Sequence, residues 1–250
     1  NAQQRQRVMD EIEYLNKEFG ITYISFQDDL LMTSVEHTEQ VCEAFAKRRK
    51  KGLEIKWNCN GRLNYVSLEL LQLMKKNGCV FINYGIESMD NTVLKFMKKG
   101  LRDNQIISGI ESTLEAGISP GLNMMFGNIG DTSESLKKSV DFLLKYDDFA
   151  QMRTIRPVTP YPGSPLYYRA IELGLLEGPE DFYDNKHLNS DLICVNFTDL
   201  SDDEFYDGLY EANLALLENY HHGARTKVKK QLYELYKDRD TTFRGFRHSG

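Results

Sequence analysis

The stretch FINYGIESMD, residues 81–90, has the pattern of a buried strand that ends in polar residues. Apolar and aromatic residues lead up to a glycine, and the carboxylate of Glu87 and the hydroxyl of Ser88 follow directly. The earlier stretch ISFQDDL, residues 24–30, ends in the same way with two aspartates. Because the carboxyl ends of parallel strands lie at one edge of a sheet, such repeated polar ends indicate a binding face.

Strand-like and helix-like segments alternate on both sides of this stretch. Runs rich in β-branched and aromatic residues predict strands near residues 21–28, 54–60, 80–86, 119–126 and 150–157. Amphipathic segments predict helices near residues 34–51, 67–77, 90–98, 103–116 and 133–146. The residues placed to cap these helices are Ser34, Ser67, Asp90 and Thr132.

The predicted strands end at intervals close to the roughly 30 residues of one strand–helix unit. This alternation predicts an α/β fold with parallel strands joined by right-handed crossovers. We expect a partial or full TIM-type (β/α) barrel with its site at the carboxyl ends of the strands. A doubly wound open sheet would place a ligand at the same edge.

The pattern changes after residue 160. TPYPGSPLY, residues 159–167, contains three prolines and predicts an ordered loop before a short helix at 165–174. Irregular chain follows, and a capping box of Ser201 and Glu204 then opens a helix, with a last helix expected at 224–238. We therefore divide the chain into a partial barrel at residues 1–175 and a C-terminal extension, irregular and then helical, at residues 176–250.

The chain opens on Asn1, inside a helical pattern. The residues that form its apolar stripe are Val8, Ile12, Leu15 and Phe19. Because the sequence opens inside a helix, we expect the chain to be a fragment of something longer.

Composition excludes several classes of protein. The 250 residues are 41% hydrophobic and 27% charged, with a formal net charge of −6, so a globular core is expected and a basic nucleic-acid surface is not. No apolar stretch reaches the roughly 18 residues of a membrane span, and no signal peptide is visible. The four cysteines form no C-x-x-C pair, so we expect reduced thiols, a cytoplasmic enzyme and no metal site within this sequence.

In a barrel, the carboxyl ends of the predicted strands would bring a particular set of side chains to the same opening of the barrel. In strand order they are Gln27, Asp28 and Asp29; Asn58, Asn60 and Arg62; Gly85, Glu87 and Ser88; Gly127, Asn128 and Gly130; and Arg153 and Arg156. Carboxylates suit an ammonium group or ribose hydroxyls, arginines suit a carboxylate, and glycines let the backbone approach a flat ring. S-adenosylmethionine, an amino acid joined to a nucleoside, would satisfy all three.

Five motifs in order resemble the radical S-adenosylmethionine (SAM) superfamily. They are FQDD, WNCNGR, GCVFINYGIES, MMFGNIGDTSES and RPVTPYPGSPLY. The resemblance covers roughly residues 20–175, and it is strongest to the branch whose members often carry an upstream cobalamin-binding domain. It implies that the chain is part of an enzyme with a barrel fold.

The resemblance implies roles for ten residues around S-adenosylmethionine. The methionine amino group would be bound by Gln27, Asp28 and Asp29. The methionine carboxylate or the ribose would be bound by Glu87 and Ser88, with Arg62 paired to the carboxylate. Backbone and apolar contacts to the adenine would come from Met125, Phe126 and Gly127. The adenine or the substrate would be faced by Arg156 and the loop that follows it.

The resemblance also implies a [4Fe–4S] cluster, which passes one electron into the sulfonium of S-adenosylmethionine. The resulting 5′-deoxyadenosyl radical would abstract hydrogen from a small-molecule substrate, and a flavodoxin or ferredoxin would be the electron donor. Cobalamin-linked methyl transfer or ring formation could follow.

Two departures from the family pattern matter. The C-x-x-x-C-x-x-C loop that holds the cluster is not in the sequence, so its ligands are expected outside this chain, which alone would be inactive. In the family this loop follows the first strand, so the resemblance implies that the first strand and the loop both lie upstream of Asn1. In GNIGDT, residues 127–132, Ile129 and Asp131 replace the usual proline and glutamate. The turn should survive these changes because its two glycines and its threonine remain.

Two other readings stay open from the residues alone. Asp28, Asp29 and Glu87 could hold magnesium or manganese in a divalent-metal-dependent barrel lyase or aldolase. The surface near residues 160–200 could instead serve a non-catalytic module that binds a partner.

Overall fold

The computed structural model of the protein describes residues 2–28 and 30–242. Within these ranges the strands are β1 (Tyr23–Ser25), β2 (Lys56–Gly61), β3 (Cys79–Glu87), β4 (Ser119–Phe126) and β5 (Ile155–Pro157). The helices are α1 (Ala2–Phe19), α2 (Val35–Arg49), α3 (Leu68–Lys76), α4 (Asn91–Phe96), α5 (Asp103–Glu115), α6 (Ser133–Lys145), α7 (Pro165–Glu172) and α8 (Asp202–Tyr236). A 3₁₀ turn spans Leu63–Tyr65, and a π-helical turn spans Asp181–Lys186.

The strands form one parallel sheet in chain order, β1-β2-β3-β4-β5. Each helical crossover leads to the neighbouring strand, so the sheet never reverses its order and curls into a half-barrel. This confirms the predicted partial TIM-type barrel and excludes the doubly wound alternative. It also brings every carboxyl end to the same edge.

The two faces of the sheet differ in chemistry because side chains alternate along each strand. The outer face is buried beneath the helices and carries Trp57, Cys59, Ile82, Tyr84, Leu122 and Met124. The inner, concave face is polar and partly open, and it carries Asn58, Asn60, Asn83 and Asn123. The core therefore lies between sheet and helices, and the inside of the half-barrel is left for a ligand.

α8 is one continuous helix, so the prediction of a separate last helix at 224–238 is wrong. The capping box predicted at its start is confirmed, because Ser201 and Glu204 bond to each other's backbone N–H groups. Phe205 packs on Phe126, with ring centroids 4.7 Å apart, and Gly223 is the last buried residue of the helix. Beyond Gly223 the helix extends away from the core.

α1 packs through only part of the predicted stripe, in which Ile12 is buried and Leu15 is partly buried. Met9 and Ile12 are buried, whereas Val8 is 41% and Phe19 is 66% exposed. Arg48 of α2 pairs with Asp10 and fixes the helix against its neighbour, at 3.1 Å from Nη2 to Oδ1.

A second, small hydrophobic cluster lies outside the main core. Its buried residues are Tyr167, Ala170, Leu176, Phe182, Cys194 and Val195. They order part of the segment that the sequence predicts to be irregular, and the domain boundary at residue 175 stays a proposal. No helix in residues 2–28 and 30–242 is long and apolar enough to cross a membrane.

Candidate active site

A cavity of about 560 Å³ opens at the carboxyl ends of the central strands. Its lining residues are Leu30, Asn60, Gly61, Arg62, Leu63, Asn64, Asn83, Tyr84, Gly85, Glu87, Met97, Lys98, Lys99, Leu101 and Asn123. The volume is in the range of pockets that bind small molecules. Of the strand-end residues that the sequence predicts, Asn60, Arg62, Gly85 and Glu87 meet here, and Arg62 and Glu87 are the two among them with a predicted role toward S-adenosylmethionine.

Glu87 is held in an unusual backbone conformation at the end of β3. Its φ is +75°, in the left-handed region that costs a residue with a side chain on the order of 1 kcal/mol or more. The register with β4 slips between Gly85 and Glu87, which marks a bulge. Bulges beside functional sites redirect a side chain, and here the bulge sends the carboxylate into the cavity.

The Glu87 carboxylate is fixed by two neighbours. Its Oε1 lies 3.1 Å from Nζ of Lys99, and the side chain is only 16% exposed. A Cβ at position 85 would lie 2.5 Å from the same oxygen, so the carboxylate can occupy this position only when residue 85 is a glycine. The loop that delivers Lys99 turns through Lys98 and Gly100, with φ of +53° and +69°.

The charged residues that line the cavity are one acid and three bases. The bases are Arg62, Lys98 and Lys99, and the acid is Glu87. This balance favours a ligand that carries an anionic group together with hydroxyl or amine donors for the carboxylate. Sequence reasoning missed the two lysines because they follow a predicted helix and not a strand.

Below the mouth, the inner face is a ladder of side-chain amides. Asn83 Nδ2 donates to Asn60 Oδ1 at 3.1 Å, and Asn60 Nδ2 donates to the backbone oxygen of Asp28 at 2.9 Å. A Cβ at Gly121 would lie 2.3 Å from Asn83 Oδ1, so this glycine makes room for the ladder. The amides offer both donors and acceptors without a formal charge.

The end of β1 lies beside the cavity and not within its lining. Gln27 and Asp28 are exposed, and Gln27 Nε2 donates to Ser25 Oγ at 2.6 Å. Asp28 lines a separate groove of about 680 Å³ between α1 and α2. Asp29 lies outside the described residues. The predicted role of these residues toward a methionine amino group stays a prediction.

Ser88 does not present its hydroxyl to the cavity. The residue is 1% exposed, and its Oγ accepts a hydrogen bond from the backbone N–H of Asp90 at 3.1 Å. The hydroxyl thus shapes the turn into α4. This corrects the expectation that Glu87 and Ser88 act as a pair at the ligand, and Glu87 alone keeps that predicted role.

At the end of β4 the three predicted residues point in different directions. Met125 is partly exposed on the inner face, in register with Arg156. The buried ring of Phe126 faces outward onto Phe205, so a contact from Phe126 to an inner ligand would come from its backbone. Gly127 has φ of +98°, and a Cβ there would lie 2.7 Å from Phe205.

The turn after β4 differs from the family pattern at Ile129 and Asp131, and it is held together by hydrogen bonds to the Asp131 carboxylate. Asp131 Oδ2 accepts from the backbone N–H groups of Gly127, at 3.0 Å, and Asn128, at 2.8 Å. Its Oδ1 accepts from the Ser135 hydroxyl at 2.7 Å. Burial raises the pKa of Asp131 to about 6, against the opposing effect of these donors.

Arg156 lies away from the cavity. Its side chain is 65% exposed, and its Nε lies 3.1 Å from Asp191 Oδ1. It borders a groove between β5 and α8. Arg153, also predicted at this strand end, is buried and holds Asp148, at 2.8 Å from Nη2 to Oδ1, so it is a structural residue.

A family model described as the Radical SAM superfamily matches residues 3–143, more than half of the chain. The chain belongs to the radical SAM superfamily. It therefore belongs to a family of enzymes, and neither the divalent-metal lyase nor the non-catalytic module is supported.

Curated relatives of this radical SAM chain are methyltransferases by name. An uncharacterized methyltransferase of Pyrococcus horikoshii is 31% identical over 172 residues, which cover 68% of this chain and 36% of that protein. Bacteriochlorophyllide d C-12(1)-methyltransferase of Chlorobaculum tepidum is 26% identical over 184 residues, which cover 72% and 39%. The chain thus spans less than two fifths of the length of these relatives.

A solved structure shares the fold. The radical S-adenosylmethionine methyltransferase TsrM of Kitasatospora setae, solved with cobalamin and a [4Fe–4S] cluster bound, aligns with a TM-score of 0.64 and 18% identity. The alignment covers 85% of this chain and 45% of that one. At this identity the likeness concerns the fold of the radical SAM barrel.

The cysteines of this radical SAM chain do not fit a cluster. All four are free and buried, and burial raises the pKa of Cys42 to about 12 and of Cys194 to about 11. The Cys42 and Cys194 thiols therefore stay protonated at neutral pH, whereas iron binds thiolates. In the described part of the chain, no group of three Cys, His, Asp or Glu side chains is placed to hold a metal ion.

Proposed function

We propose that this chain forms the S-adenosylmethionine-binding half-barrel of a radical SAM methyltransferase. The observation that carries the proposal is the cavity at the strand ends, where the bulge at Glu87 faces Arg62 and Lys99. Family membership and the names of the relatives support the reaction class. The small-molecule substrate is left open.

In this proposal the acid and the bases of the cavity have different tasks. Glu87 accepts hydrogen bonds from ribose hydroxyls or from the methionine ammonium, and it is pre-oriented by Gly85. Arg62 and the lysines neutralise the methionine carboxylate. Met125 and the backbone of Phe126 and Gly127 offer an apolar surface to the adenine ring. These residues bind, orient and exclude water, and they carry out no acid–base step.

The iron–sulfur cluster and cobalamin have no assigned residues in this chain. When bound with a reduced cluster, S-adenosylmethionine supplies the reactivity that attacks unactivated carbon. Cobalamin use is proposed from the likeness to TsrM, and a flavodoxin or ferredoxin is proposed as the electron donor. A cytoplasmic location belongs to the same proposal, and the four free thiols support a reducing compartment.

The test begins with the natural gene product, reconstituted anaerobically with iron and sulfide. We expect about four irons per chain and cleavage of S-adenosylmethionine to 5′-deoxyadenosine upon reduction. A protein that holds no iron, or that holds it and leaves S-adenosylmethionine intact, would contradict the proposed reaction.

The binding site is tested separately with Glu87→Gln, which keeps the shape of the side chain and removes its charge. We expect S-adenosylmethionine to bind at least about tenfold more weakly, a loss of about 1.4 kcal/mol, as measured by equilibrium dialysis. The matched control is Glu115→Gln, at the exposed end of α5. Equal affinity of the two variants would remove Glu87 from the site.

A further inference from the structure

The lysine loop, residues 97–101, carries Lys98 and Lys99 from α4 to the cavity and leads on to α5. Lys98 and Gly100, on either side of Lys99, both have a left-handed backbone, with φ of +53° and +69°. At Lys98 this conformation costs on the order of 1 kcal/mol, because the residue has a side chain. A loop in this conformation depends on contacts that stabilise it.

Contacts with α4 and with the core hold the two ends of the lysine loop. The backbone N–H of Lys99 donates to the carbonyl oxygen of Leu94 at 3.0 Å. The side chain of Leu101 is buried in the main hydrophobic core. Just beyond the loop, the backbone N–H of Asp103 donates to Asn91 Oδ1 at 3.0 Å, which joins the start of α5 to the start of α4. These contacts leave the residue between Lys99 and Leu101 to be held from elsewhere.

The side chain of Asn64 supplies that contact from a different part of the fold. Its Nδ2 donates to the carbonyl oxygen of Gly100 at 3.0 Å. Within residues 2–28 and 30–242, every other hydrogen bond to the backbone of the lysine loop comes from α4. Asn64 is therefore the one hydrogen-bonding support of this backbone that lies across the cavity from α4.

Asn64 is itself fixed, because the turn that carries it is anchored in the core. It lies in the 3₁₀ turn Leu63–Tyr65, which follows Arg62 at the end of β2. Leu63 is buried and packs on Gly109 of α5, where a Cβ would lie 2.7 Å from Leu63 Cδ2. The bond from Asn64 to Gly100 thus ties the strand end that delivers Arg62 to the loop that delivers Lys99.

The position of the lysine loop decides the charge that a ligand meets. Glu87 alone would repel the carboxylate of S-adenosylmethionine, and the ammonium of Lys99, 3.1 Å from Glu87 Oε1, offsets that repulsion. The attraction between Lys99 and a carboxylate falls with distance, so a loop that moves away from the cavity weakens it. Any residue that fixes the loop therefore acts on the carboxylate of the ligand.

We propose that Asn64 is a positioning residue that holds the lysine loop against the cavity. The ammonium of Lys99 then lies between the carboxylate of Glu87 and the carboxylate of S-adenosylmethionine. Asn64 acts through Lys99, and the ligand is not its partner. This inference rests on the proposed function, because it assigns a task to Asn64 in binding the same molecule.

The test compares two ligands that differ by one carboxylate, S-adenosylmethionine and decarboxylated S-adenosylmethionine. The protein is the natural gene product, reconstituted anaerobically, and equilibrium dialysis measures the affinities. We expect Asn64→Ala to weaken binding of S-adenosylmethionine about fivefold, the effect of about one hydrogen bond. Binding of the decarboxylated ligand should stay within about twofold of the wild type, since Lys99 has no carboxylate to attract there.

The matched control is Asn104→Ala, in the first turn of α5. Asn104 is exposed, and its side chain makes no hydrogen bond in the part of the chain that the structure describes. We expect both affinities of this variant to stay within about twofold of those of the wild type.

A double-mutant cycle tests whether Asn64 acts through Lys99. Lys99→Met removes the ammonium and keeps most of the length of the side chain. If Lys99 transmits the effect, adding Asn64→Ala to Lys99→Met should not weaken binding of S-adenosylmethionine further. A second loss of about fivefold in the double variant would show that Asn64 contacts the ligand directly, and it would overturn the proposal.

Hydrogen exchange of the ligand-free proteins tests the contact itself. Asn64→Ala should raise the exchange rates of the Lys98 and Lys99 amides at least about threefold, because the loop loses a support. Unchanged exchange, or an equal change in the affinity for both ligands, would overturn this inference alone. A wild type that binds no S-adenosylmethionine would instead contradict the proposed function, and the role of Asn64 would fall with it.

Discussion

The carboxylate of Glu87 occupies the space that a side chain at position 85 would need. A Cβ on Gly85 would lie 2.5 Å from Glu87 Oε1 and 3.4 Å from Lys99 Nζ. Both are the far ends of flexible side chains, so they can move without unfolding the strand. The absence of a side chain at Gly85 thus sets the position of the charge in the cavity.

We therefore expect Gly85→Ala to weaken S-adenosylmethionine binding at least about tenfold while the protein stays folded. Equilibrium dialysis measures the affinity, and circular dichroism checks the fold. Gly178→Ala is the matched control, because nothing lies within 4 Å of a Cβ at that position. Unchanged affinity in Gly85→Ala would mean that the orientation of Glu87 is irrelevant to binding.

Asp131 makes stability depend on pH in a defined direction. Its pKa is raised from 3.8 to about 6, so the folded state holds the proton more tightly than the unfolded state does. The stability that this provides is present below about pH 4 and is lost as pH rises through about 6. Relative to Asp131→Asn, the wild type should lose about 1–3 kcal/mol of unfolding free energy over that interval.

Urea titrations of both proteins at pH 4, 5, 6 and 7 measure this difference. The comparison cancels every other titrating group that the two proteins share. A difference that stays constant with pH would show that the Asp131 carboxylate ionises normally in the fold.

Asn213 closes the free edge of the sheet. Its Oδ1 accepts from the backbone N–H of Ile155 at 2.9 Å, and its Nδ2 donates to the backbone oxygen of the same residue at 3.0 Å. Asn213→Leu leaves both backbone groups without these partners, so we expect a loss of about 1–3 kcal/mol in unfolding free energy. Urea denaturation measures it, and the exposed Asn185→Ala, with a change within about 0.5 kcal/mol, is the control.

The cysteines provide a test of burial. All four are free and buried, and burial raises the pKa of Cys42, Cys79 and Cys194. We expect less than one thiol per chain to react quickly with a chromogenic disulfide at neutral pH, and all four to react after denaturation. Fast reaction of a native thiol would show that the core around it opens.

Local patterns were sufficient to predict the barrel but not the C-terminal helix. The five strands are short runs bounded by glycines and caps, and those signals are local. Gly223 interrupts the helical pattern of α8 and resembles a C-cap. A glycine is required at this position because the ring of Phe149 packs against it, and a Cβ there would lie 2.2 Å from that ring. No local pattern contains that contact, because the two residues are far apart in sequence.

Only some of the residues predicted from strand ends line the cavity, and the loop that contributes Lys98 and Lys99 was not predicted to do so. Arg62 and Glu87 follow strands, and they line one cavity. Ser88 could not be separated from Glu87 by sequence, because the bulge that turns one inward and the other into the core is a property of the folded strand. Lys99 reaches Glu87 from a loop twelve residues later, which only the tertiary structure reveals.

The two hydrogen bonds between Asn213 and Ile155 of β5 also have a consequence while the chain is being synthesised. Asn213 follows Ile155 by 58 residues, so the ribosome completes the sheet well before it makes the helix that covers its last strand. At about 5–20 residues per second, the edge stays unprotected for about 3–12 s. During that time the nascent barrel offers a bare strand to any other extended chain. Chaperone engagement at this stage would protect yield without altering the finished protein.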